Sequence, residues 1–426
     1  MTDIIGIDFG TTNSVIALHR PDGSVESLRF AMGSREAETF RSLICFWMEE
    51  SGAGRGRLEH AAGPAAIEAY LDDPLGCRLI MSMKSYLASR NFTETRVFGQ
   101  ALTLEALISL FLRALLASLP AGRDLLRARV IAGRPVHFVG ETADDALAER
   151  RLRSAFQAAG WSQVDLALEP EAAGYRFAAG LDEPANVLIG DFGGGTSDFS
   201  ILRFEPGERR RVTALGHAGL GIAGDALDYR IIDNVVSPRL GKGDHYRILG
   251  TALPVPPSFF SSFAHWHRLS LMRAPKTMRE IAEVARNADH PERLMHLLRL
   301  VEDEAGYALY RAVSEVKASL SAQDGAVLRF RHDDFELDET VRQADFEAWI
   351  APELRRIGAT VSEALERAGL REDAIDRVFL TGGSSLVPAI RRIFEARFGA
   401  DRIAHGGEFV SVAEGLALIG AENGAI

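Results

Sequence analysis

The stretch GIDFGTTNSVIAL at residues 6–18 has a near copy, IGDFGGGTSDFSIL, at residues 189–202. In both, an apolar run ends in Asp-Phe-Gly, a turn rich in glycine and threonine follows, and a second apolar run begins. This pattern predicts a tight β-hairpin, because glycine adopts backbone angles that other residues resist. The backbone N–H groups of such a turn form a concave site for an anion. We therefore expect each turn to bind one end of the phosphates of a nucleotide.

The candidate phosphate-binding residues belong to these two turns. They are Gly10, Thr11, Thr12, Gly193, Gly194, Gly195 and Thr196. Asp8 and Asp191 precede the turns, and carboxylate oxygens beside a phosphate suit a hydrated Mg²⁺ ion. A single Asp-Phe-Gly is better explained as a turn after a buried strand. Its repetition in matching strand contexts favours the phosphate site.

Composition and charge exclude several classes of protein. The net charge of −11 argues against sequence-independent binding to nucleic acid or to an anionic membrane. The most apolar stretch, Leu102 to Leu119, contains Glu105 and Arg113 at amphipathic spacing, so it predicts a helix of a water-soluble domain and not a membrane span. With two cysteines and an N-terminus unlike a signal peptide, we expect a cytoplasmic protein.

The length of 426 residues predicts two lobes, since a single hydrophobic core stops growing below that size. We place lobe I at residues 1–185 and lobe II at residues 186–407, with a mostly helical subdomain at about residues 225–320. The closing helix in residues 408–426 is expected to return to lobe I. The order strand, turn, strand restarts at Asn186, which indicates an internal duplication.

Further elements follow from the periodicity. Helical pattern dominates residues 61–119 apart from a short strand at residues 95–98, and a single long helix is predicted over residues 343–368. Another helix is expected to begin near Thr142 or Glu141 and to stop at Gly160.

Four segments resemble the DnaK-type seventy-kilodalton heat-shock chaperones. The segments that are similar to the family's first phosphate, second phosphate, adenosine and connecting segments are IIGIDFGTTNSVIAL (4–18), VLIGDFGGGTSDFSIL (187–202), VFLTGGSSLVPAIRRIF (378–394) and LEPEAAGYRFAAGL (168–181). The resemblance implies the α/β actin-like ATPase fold, with two lobes of duplicated strand-helix topology around a nucleotide cleft. It also implies ATP or ADP and Mg²⁺ as cofactors.

The resemblance implies a catalytic set of Lys84, Glu169, Asp191 and Thr196. Lys84, in RLIMSMKSYL, matches the family's catalytic lysine, which places charge near the γ-phosphate and the attacking water. Without the family register, Lys84 is better explained as a solvated surface charge, and Glu169 as a carboxylate that caps the next helix. Asp191 either orients the attacking water or binds Mg²⁺ through water, and Asp8 is the other candidate metal residue.

Further positions match the family's nucleotide contacts. They are Gly382, Gly383 and Ser384 in the adenosine loop, Lys317 and Ser321 near ribose and adenine, and Gly224 and Asp225 beside the phosphates. For Lys317 an alternative stays open, in which it is a helix-face charge that pairs with Glu315 or Ser314.

The sequence also departs from the family's pattern. Leu386 and Ala318 replace two arginines that pack on adenine, which is expected to weaken base binding by about 1 kcal/mol per contact. The divergent residues 240–300 contain five histidines, which form either a metal site or solvated side chains: His245, His265, His267, His290 and His296. No peptide-binding domain follows before Ile426, which is similar to the short YegD-like relatives of the chaperones.

The function predicted from these features is a chaperone-like ATPase that binds and slowly hydrolyses ATP with Mg²⁺ and acts on an unidentified protein partner or client. A sugar-type or acetate-type kinase of the same superfamily is an alternative, although no acceptor-facing aspartate is evident. A filament-forming actin-like protein and a nucleotide sensor without turnover are further alternatives. The retained Lys84, Glu169 and Asp191 argue against the sensor.

Overall fold

The computed structural model describes residues 3–32, 35–49, 56–73, 75–120, 125–140, 142–178, 181–205, 211–261, 272–404 and 410–423. The chain divides into two compact units. Unit 1 comprises Met1–Ala223 and Arg356–Ile426, and unit 2 comprises Gly224–Arg355. The expected lobe boundary at residues 185/186 falls inside unit 1, so the division into two lobes stays a prediction. Among the described helices, none combines the length and the apolar character that crossing a bilayer requires.

The strands of the described residues, in chain order, are β1 (Ile4–Phe9), β2 (Asn13–His19), β3 (Val25–Ser27), β4 (Phe30–Met32), β5 (Arg35–Ala37), β6 (Phe40–Arg41), β7 (Leu43–Glu49), β8 (Arg57–Ala62), β9 (Cys77–Met81), β10 (Glu94–Val97), β11 (Gln100–Thr103), β12 (Arg129–Arg134), β13 (Val164–Leu168), β14 (Ala185–Phe192), β15 (Ser197–Glu205), β16 (Arg211–Leu220), β17 (His245–Ile248), β18 (Thr251–Pro254), β19 (Gly325–His332), β20 (Phe335–Arg342), β21 (Arg377–Thr381) and β22 (Ile403–Ala404).

The α-helices are α1 (Pro64–Asp72), α2 (Leu104–Ala117), α3 (Asp145–Ala159), α4 (Glu169–Ala178), α5 (Gly224–Ile231), α6 (Ser237–Arg239), α7 (Ser258–Ser261), α8 (Pro275–Arg286), α9 (Pro291–Glu302), α10 (Gly306–Leu320), α11 (Gln343–Trp349), α12 (Ala351–Ala368), α13 (Pro388–Phe398) and α14 (Ser411–Asn423). Short 3-10 helices include Met83–Tyr86 and Gly383–Leu386, and a π-helical turn covers Ile232–Val236.

Unit 1 contains two sheets with the same topology, in which a central strand has an antiparallel neighbour on one side and a parallel neighbour on the other. In the first, β1 pairs antiparallel with β2 and parallel with β12, giving the order β13-β12-β1-β2-β3, and β6 also pairs with β2. In the second, β14 pairs antiparallel with β15 and parallel with β21, giving the order β16-β15-β14-β21-β22. The two predicted hairpins are therefore confirmed, and each lies at the same place in its sheet.

Helices cover both faces of the first sheet. Helices α2 and α3 pack against each other over one core, which includes Ile7 and Phe111, both fully buried. Helix α14 packs against β1, β2 and α4 on the other face. Gly6 permits that contact, because a Cβ atom there would lie 2.0 Å from the backbone oxygen of Ala413. Burial of apolar side chains on both faces fixes the central strand between two helical layers.

The prediction for residues 61–119 was wrong in part. Helix α1 is followed by β9, the edge strand of a three-stranded sheet with the order β8-β7-β9, and then by the hairpin β10-β11. The apolar run CRLIM forms β9, because Ile44 and Cys45 of the neighbouring strand β7 pair with it. The chain then enters the 3-10 turn Met83–Tyr86, which carries Lys84.

Unit 2 is largely helical, with two hairpins, β17-β18 and β19-β20. The first hairpin interrupts the stretch of about residues 225–320 that is predicted to be mostly helical. The long helix predicted over residues 343–368 is two helices that meet at Ile350. Pro352 explains the break, since proline lacks an N–H and clashes with the preceding helical turn.

Candidate active site

The two Asp-Phe-Gly turns are closed by short backbone contacts. In the first, a Cβ atom on Gly10 would lie 2.2 Å from the backbone oxygen of Asn13, so that position accepts no side chain. In the second, the Gly193 N–H donates to the backbone oxygen of Thr196 at 2.9 Å. Both turns therefore have the tight geometry that the glycines predict.

The turns approach each other within unit 1. A Cβ atom on Gly195 would lie 3.5 Å from Thr11 Oγ1 and 3.6 Å from Ser85 Oγ. Because Ser85 follows Lys84, the first turn, the second turn and the lysine-bearing 3-10 turn meet at this point. Thr11 and Gly195, which are 184 positions apart in the sequence, thus come together, as the phosphate-site interpretation requires.

Lys84 and Glu169 form a buried ion pair. Their side chains are each 7% exposed, and the Lys84 ammonium donates to Glu169 Oε1. Glu169 is the first residue of α4, and Gly133 in β12 makes room for it, because a Cβ atom there would lie 2.9 Å from Glu169 Cγ. The alternative interpretation of Lys84 as a solvated surface charge is therefore wrong.

Three aspartates surround this pair. Asp8 and Asp191 are equivalent residues of β1 and β14, and Asp198 lies directly opposite Asp191 in the second hairpin. Val136, just after β12, donates its N–H to Asp198 Oδ1 at 2.9 Å. Asp198 therefore connects the second hairpin to the segment that follows β12 of the first sheet. The sequence did not indicate this contact. The spacing of Asp191 and Asp198 on the two sides of the turn is the signal that places them opposite each other in the hairpin.

Burial and, after it, crowding of negative charge raise the pKa values of the aspartates. Desolvation of the carboxyl group, followed by repulsion from Glu169, raises the pKa of Asp8 to about 7 and that of Asp198 to about 7. The same two causes raise the pKa of Asp191 well above its ordinary value. Desolvation lowers the pKa of Lys84, but attraction to Glu169 and Asp8 outweighs it, so the pKa is raised and the lysine stays charged.

Helix α4 is anchored at several points, which fixes Glu169 at its first residue. Glu171 lies 3.3 Å from His217 Nε2, and His217 Nδ1 shares a hydrogen bond of 2.6 Å with Ser200 Oγ on β15. Arg176, near the end of α4, pairs with Glu414 of α14. These contacts attach α4 to the second sheet and to the closing helix.

The predicted adenosine loop lies beside the second turn. Strand β21 is parallel to β14, with Thr381 opposite Asp191, so the two chain segments leave the sheet at the same edge. Gly382 has a φ of 84° and a Cβ atom there would lie 2.1 Å from the backbone oxygen of Phe192. Gly383 and Ser384 continue into a 3-10 helix that ends at Leu386, whose surface is 48% exposed.

The remaining predicted nucleotide contacts belong to unit 2, where α10 packs against α5. The Lys317 ammonium lies 2.9 Å from Asp228 Oδ2 and donates to the backbone oxygen of Gly224 at 3.1 Å. Ser314 donates to the same Asp228 carboxylate at 2.9 Å, so the alternative pairing of Lys317 with Glu315 or Ser314 is not the one observed. Asp225 accepts a hydrogen bond from the Tyr310 hydroxyl, and Ser321 donates one to the backbone oxygen of Lys317. Their role towards a nucleotide stays a prediction.

The histidines of residues 240–300 do not converge in the described part of the chain. His290 Nδ1 lies 3.5 Å from Glu292, and His296 Nε2 lies 3.7 Å from Asp334. His245 begins β17 and is exposed. His265 and His267 lie outside the described residues, so the metal-site alternative for them stays a prediction.

We expect the Asp198→Asn variant to be more stable than the wild type, by a larger margin at pH 8 than at pH 5.5. Between pH 3.8 and about 7 the folded state keeps a proton on Asp198 that the unfolded state has released. The stabilisation is therefore complete below the unfolded pKa and is lost as the pH rises through about 7. Asparagine mimics the protonated acid at every pH, so the difference should reach a few kcal/mol at most, at about 1.4 kcal/mol per pKa unit.

The measurement is the free energy of unfolding of both proteins in EDTA at the two pH values. Asp22→Asn is the matched control, because Asp22 is an exposed carboxyl whose pKa a hydrogen bond from Ser24 lowers. A wild type that is more stable than Asp198→Asn at pH 8 would contradict the assignment.

Comparison with known proteins adds an independent finding. A family model described as Hsp70 protein matches residues 298–421. The chain is 27% identical over 413 residues to proteins named Chaperone protein DnaK from Deinococcus deserti and from Deinococcus radiodurans. These alignments cover 94% of this chain and 56% of each relative, so the chain spans little more than half the length of the curated relatives it matches.

Proposed function

We propose, since this chain is a DnaK/Hsp70-family protein, that it binds ATP and ADP with Mg²⁺ and slowly hydrolyses ATP. The observation that carries the proposal is the buried Lys84–Glu169 pair, surrounded by Asp8, Asp191 and Asp198 at the ends of the two hairpins. The family supports a chaperone-type nucleotide-binding domain of the actin-like fold. Turnover, the two-lobe arrangement, a YegD-like subtype and a cytoplasmic location are our proposals.

The donor set of the site fits magnesium. Four carboxylates and one ammonium leave three uncompensated negative charges when every acid is ionised, and at a pH above the raised pKa values a bound cation would neutralise part of that buried excess. Carboxylate oxygens are hard ligands, and Mg²⁺ usually retains several of its waters. Asp8 and Asp191 would hold the hydrated ion, which, when bound, neutralises charge on the phosphates. Because the aspartates must lose protons first, Mg²⁺ affinity should rise with pH through about 7.

The residues of the chain supply the remaining functions. The N–H groups of the two turns are suited to donate to phosphate oxygens. Lys84, held by Glu169, would place positive charge beside the phosphoryl group that is transferred, and Thr196 would add a hydroxyl donor. Phosphoryl transfer depends mainly on positioning and charge compensation, so a general base is not required. Asp191 either orients the attacking water or binds the metal through water.

The experiment that tests this function is calorimetric titration with ATP, ADP and GTP in Mg²⁺, with phosphate release followed on the same sample. We expect ATP and ADP to bind and phosphate to be released slowly, and Asp191→Asn to lower the release rate. Glu26→Gln is a matched control, because Glu26 is an acid on β3 that pairs with Arg20.

Each other outcome points to a different function. Tight binding without phosphate release would favour the sensor. Release that requires an added sugar or acetate would favour the kinase. A folded protein that binds no nucleotide would contradict the proposal. A protein partner or client is also proposed, and the chaperone names of the relatives support it.

A further inference from the structure

Arg41 lies on the short strand β6, which is attached to the first phosphate turn at two points. The Ser42 N–H donates to the backbone oxygen of Thr12 at 2.9 Å, and the Arg41 guanidinium donates to Asn13 Oδ1 at 3.3 Å. Asn13 and Arg41 are also direct cross-strand partners in the antiparallel pairing of β2 with β6. The position of Arg41 is therefore fixed relative to the turn itself.

Sheet geometry places Arg41 on the same face as Asp8. Asp8 lies opposite Val15, and Asn13, two residues before Val15, projects to the same face. Since directly opposite residues share a face, Arg41 lies there as well. The other face is independently identified by a hydrogen bond of 2.8 Å between Ser14 Oγ and Ser42 Oγ.

The Arg41 guanidinium has more N–H donors than its hydrogen bond to Asn13 uses. It carries five N–H donors, and among the described residues its hydrogen bond is the one to Asn13, with no carboxylate paired to it. The side chain is partly exposed, so it is accessible to a ligand. Arginine binds phosphate oxygens through two parallel hydrogen bonds and stays charged at any relevant pH.

The charge balance of the site favours such a contact. The charge of Lys84 is already compensated by Glu169, and three aspartates add negative charge. When every acid is ionised, a bound divalent cation would still leave the site with an excess of negative charge. This excess would repel a negatively charged polyphosphate. A guanidinium beside the turn reduces that repulsion.

We propose that Arg41 is a phosphate-binding residue that contacts the diphosphate part shared by ATP and ADP, an inference that rests on the proposed function. In the proposed function Lys84 and Glu169 would lie at the γ-phosphate end, whereas Arg41 is attached to Asn13, the residue that follows the first turn. Arg41 would make the same contact with the diphosphate of ATP before hydrolysis and of ADP after it. Arg41 therefore contributes to nucleotide binding and not to the chemical step.

The test is titration of the full chain with ADP and with inorganic pyrophosphate in Mg²⁺, for the wild type, Arg41→Gln, Arg41→Lys and Arg57→Ala. Glutamine retains a donor for Asn13 and removes the charge. We expect Arg41→Gln to weaken both ligands about 10- to 100-fold, the usual range for a hydrogen bond between charged groups. Arg41→Lys should recover part of the loss, and KM for ATP should rise while kcat stays nearly constant.

Arg57→Ala controls for the loss of a positive charge, because its side chain is 79% exposed on β8. Unchanged binding in Arg41→Gln, with a wild type that binds ADP, would overturn this inference and leave the proposed function intact. A lower kcat with unchanged KM would overturn it as well. A wild type that binds neither ADP nor ATP would overturn the proposed function, and the inference with it.

Discussion

Lys84→Ala is expected to lower the rate of ATP hydrolysis by about 10²- to 10³-fold, as the loss of one preorganised charge contact does in other enzymes. The substitution removes the ammonium from a site that retains Glu169, Asp8 and Asp191. Developing charge on the transferred phosphoryl group then lacks its compensating cation. The measurement is single-turnover release of phosphate at saturating ATP, with nucleotide affinity determined separately by titration.

The stability of the variant needs its own control. The Glu169 side chain is 7% exposed, so removal of Lys84 leaves a buried charge unpaired, which costs about 3–5 kcal/mol in comparable pairs. The double variant Lys84→Met with Glu169→Gln removes both charges and should recover most of the stability without recovering hydrolysis. A folded Lys84→Ala protein that releases phosphate at the wild-type rate would disprove the catalytic role.

Gly415→Ala is expected to destabilise unit 1 by about 3 kcal/mol or more, at the upper end for an overpacked core. A Cβ atom at this position of α14 would lie 1.6 Å from the backbone oxygen of Ala172 in α4. The Cβ atom is fixed by the backbone of α14 and its neighbour is a backbone oxygen, so a rotamer change cannot relieve the clash, and the two helices must separate. The measurement is the urea midpoint and the free energy of unfolding derived from it.

Separation of α4 from α14 should also move Glu169 of the candidate active site, because Glu169 is the first residue of α4. We therefore expect weaker Mg²⁺-dependent ATP binding in Gly415→Ala, even at temperatures where the variant stays folded. Gly358→Ala is the matched control, since its Cβ atom would lie 4.0 Å from the nearest other atom, and alanine should stabilise that helix slightly. Equal urea midpoints for Gly415→Ala and the wild type would refute the close contact between α4 and α14.

The local parts of the site could be predicted from the sequence. The turns after Asp8 and Asp191 are determined by adjacent glycines and flanking apolar runs, both of which act over a few residues. Some local predictions were nevertheless imprecise. The helix expected to begin near Thr142 or Glu141 begins after Asp144, whose Oδ1 accepts the Leu147 N–H at 2.9 Å. Several residues near a helix start have suitable side chains, and the pattern does not choose among them.

Strand β9 shows why short apolar runs are ambiguous. A run of five residues such as CRLIM fits either a buried helix segment or a strand, and the neighbouring strand β7 decides between them. The same ambiguity applies to β17 and β18, whose strands are too short for periodicity to distinguish them from helix. Pairing partners distant in the chain are not encoded in periodicity.

The sequence by itself determined the two hairpins, the positions of Asp8 and Asp191 at their ends, and the family resemblance of these segments. Tertiary structure alone decided that Lys84 pairs with Glu169, 85 residues away, and that Asp198 accepts a hydrogen bond from Val136. It also decided that Arg41 lies beside the first turn. Turns depend on the backbone preferences of consecutive residues, whereas buried pairs depend on which elements pack together, and that packing is set by the whole core.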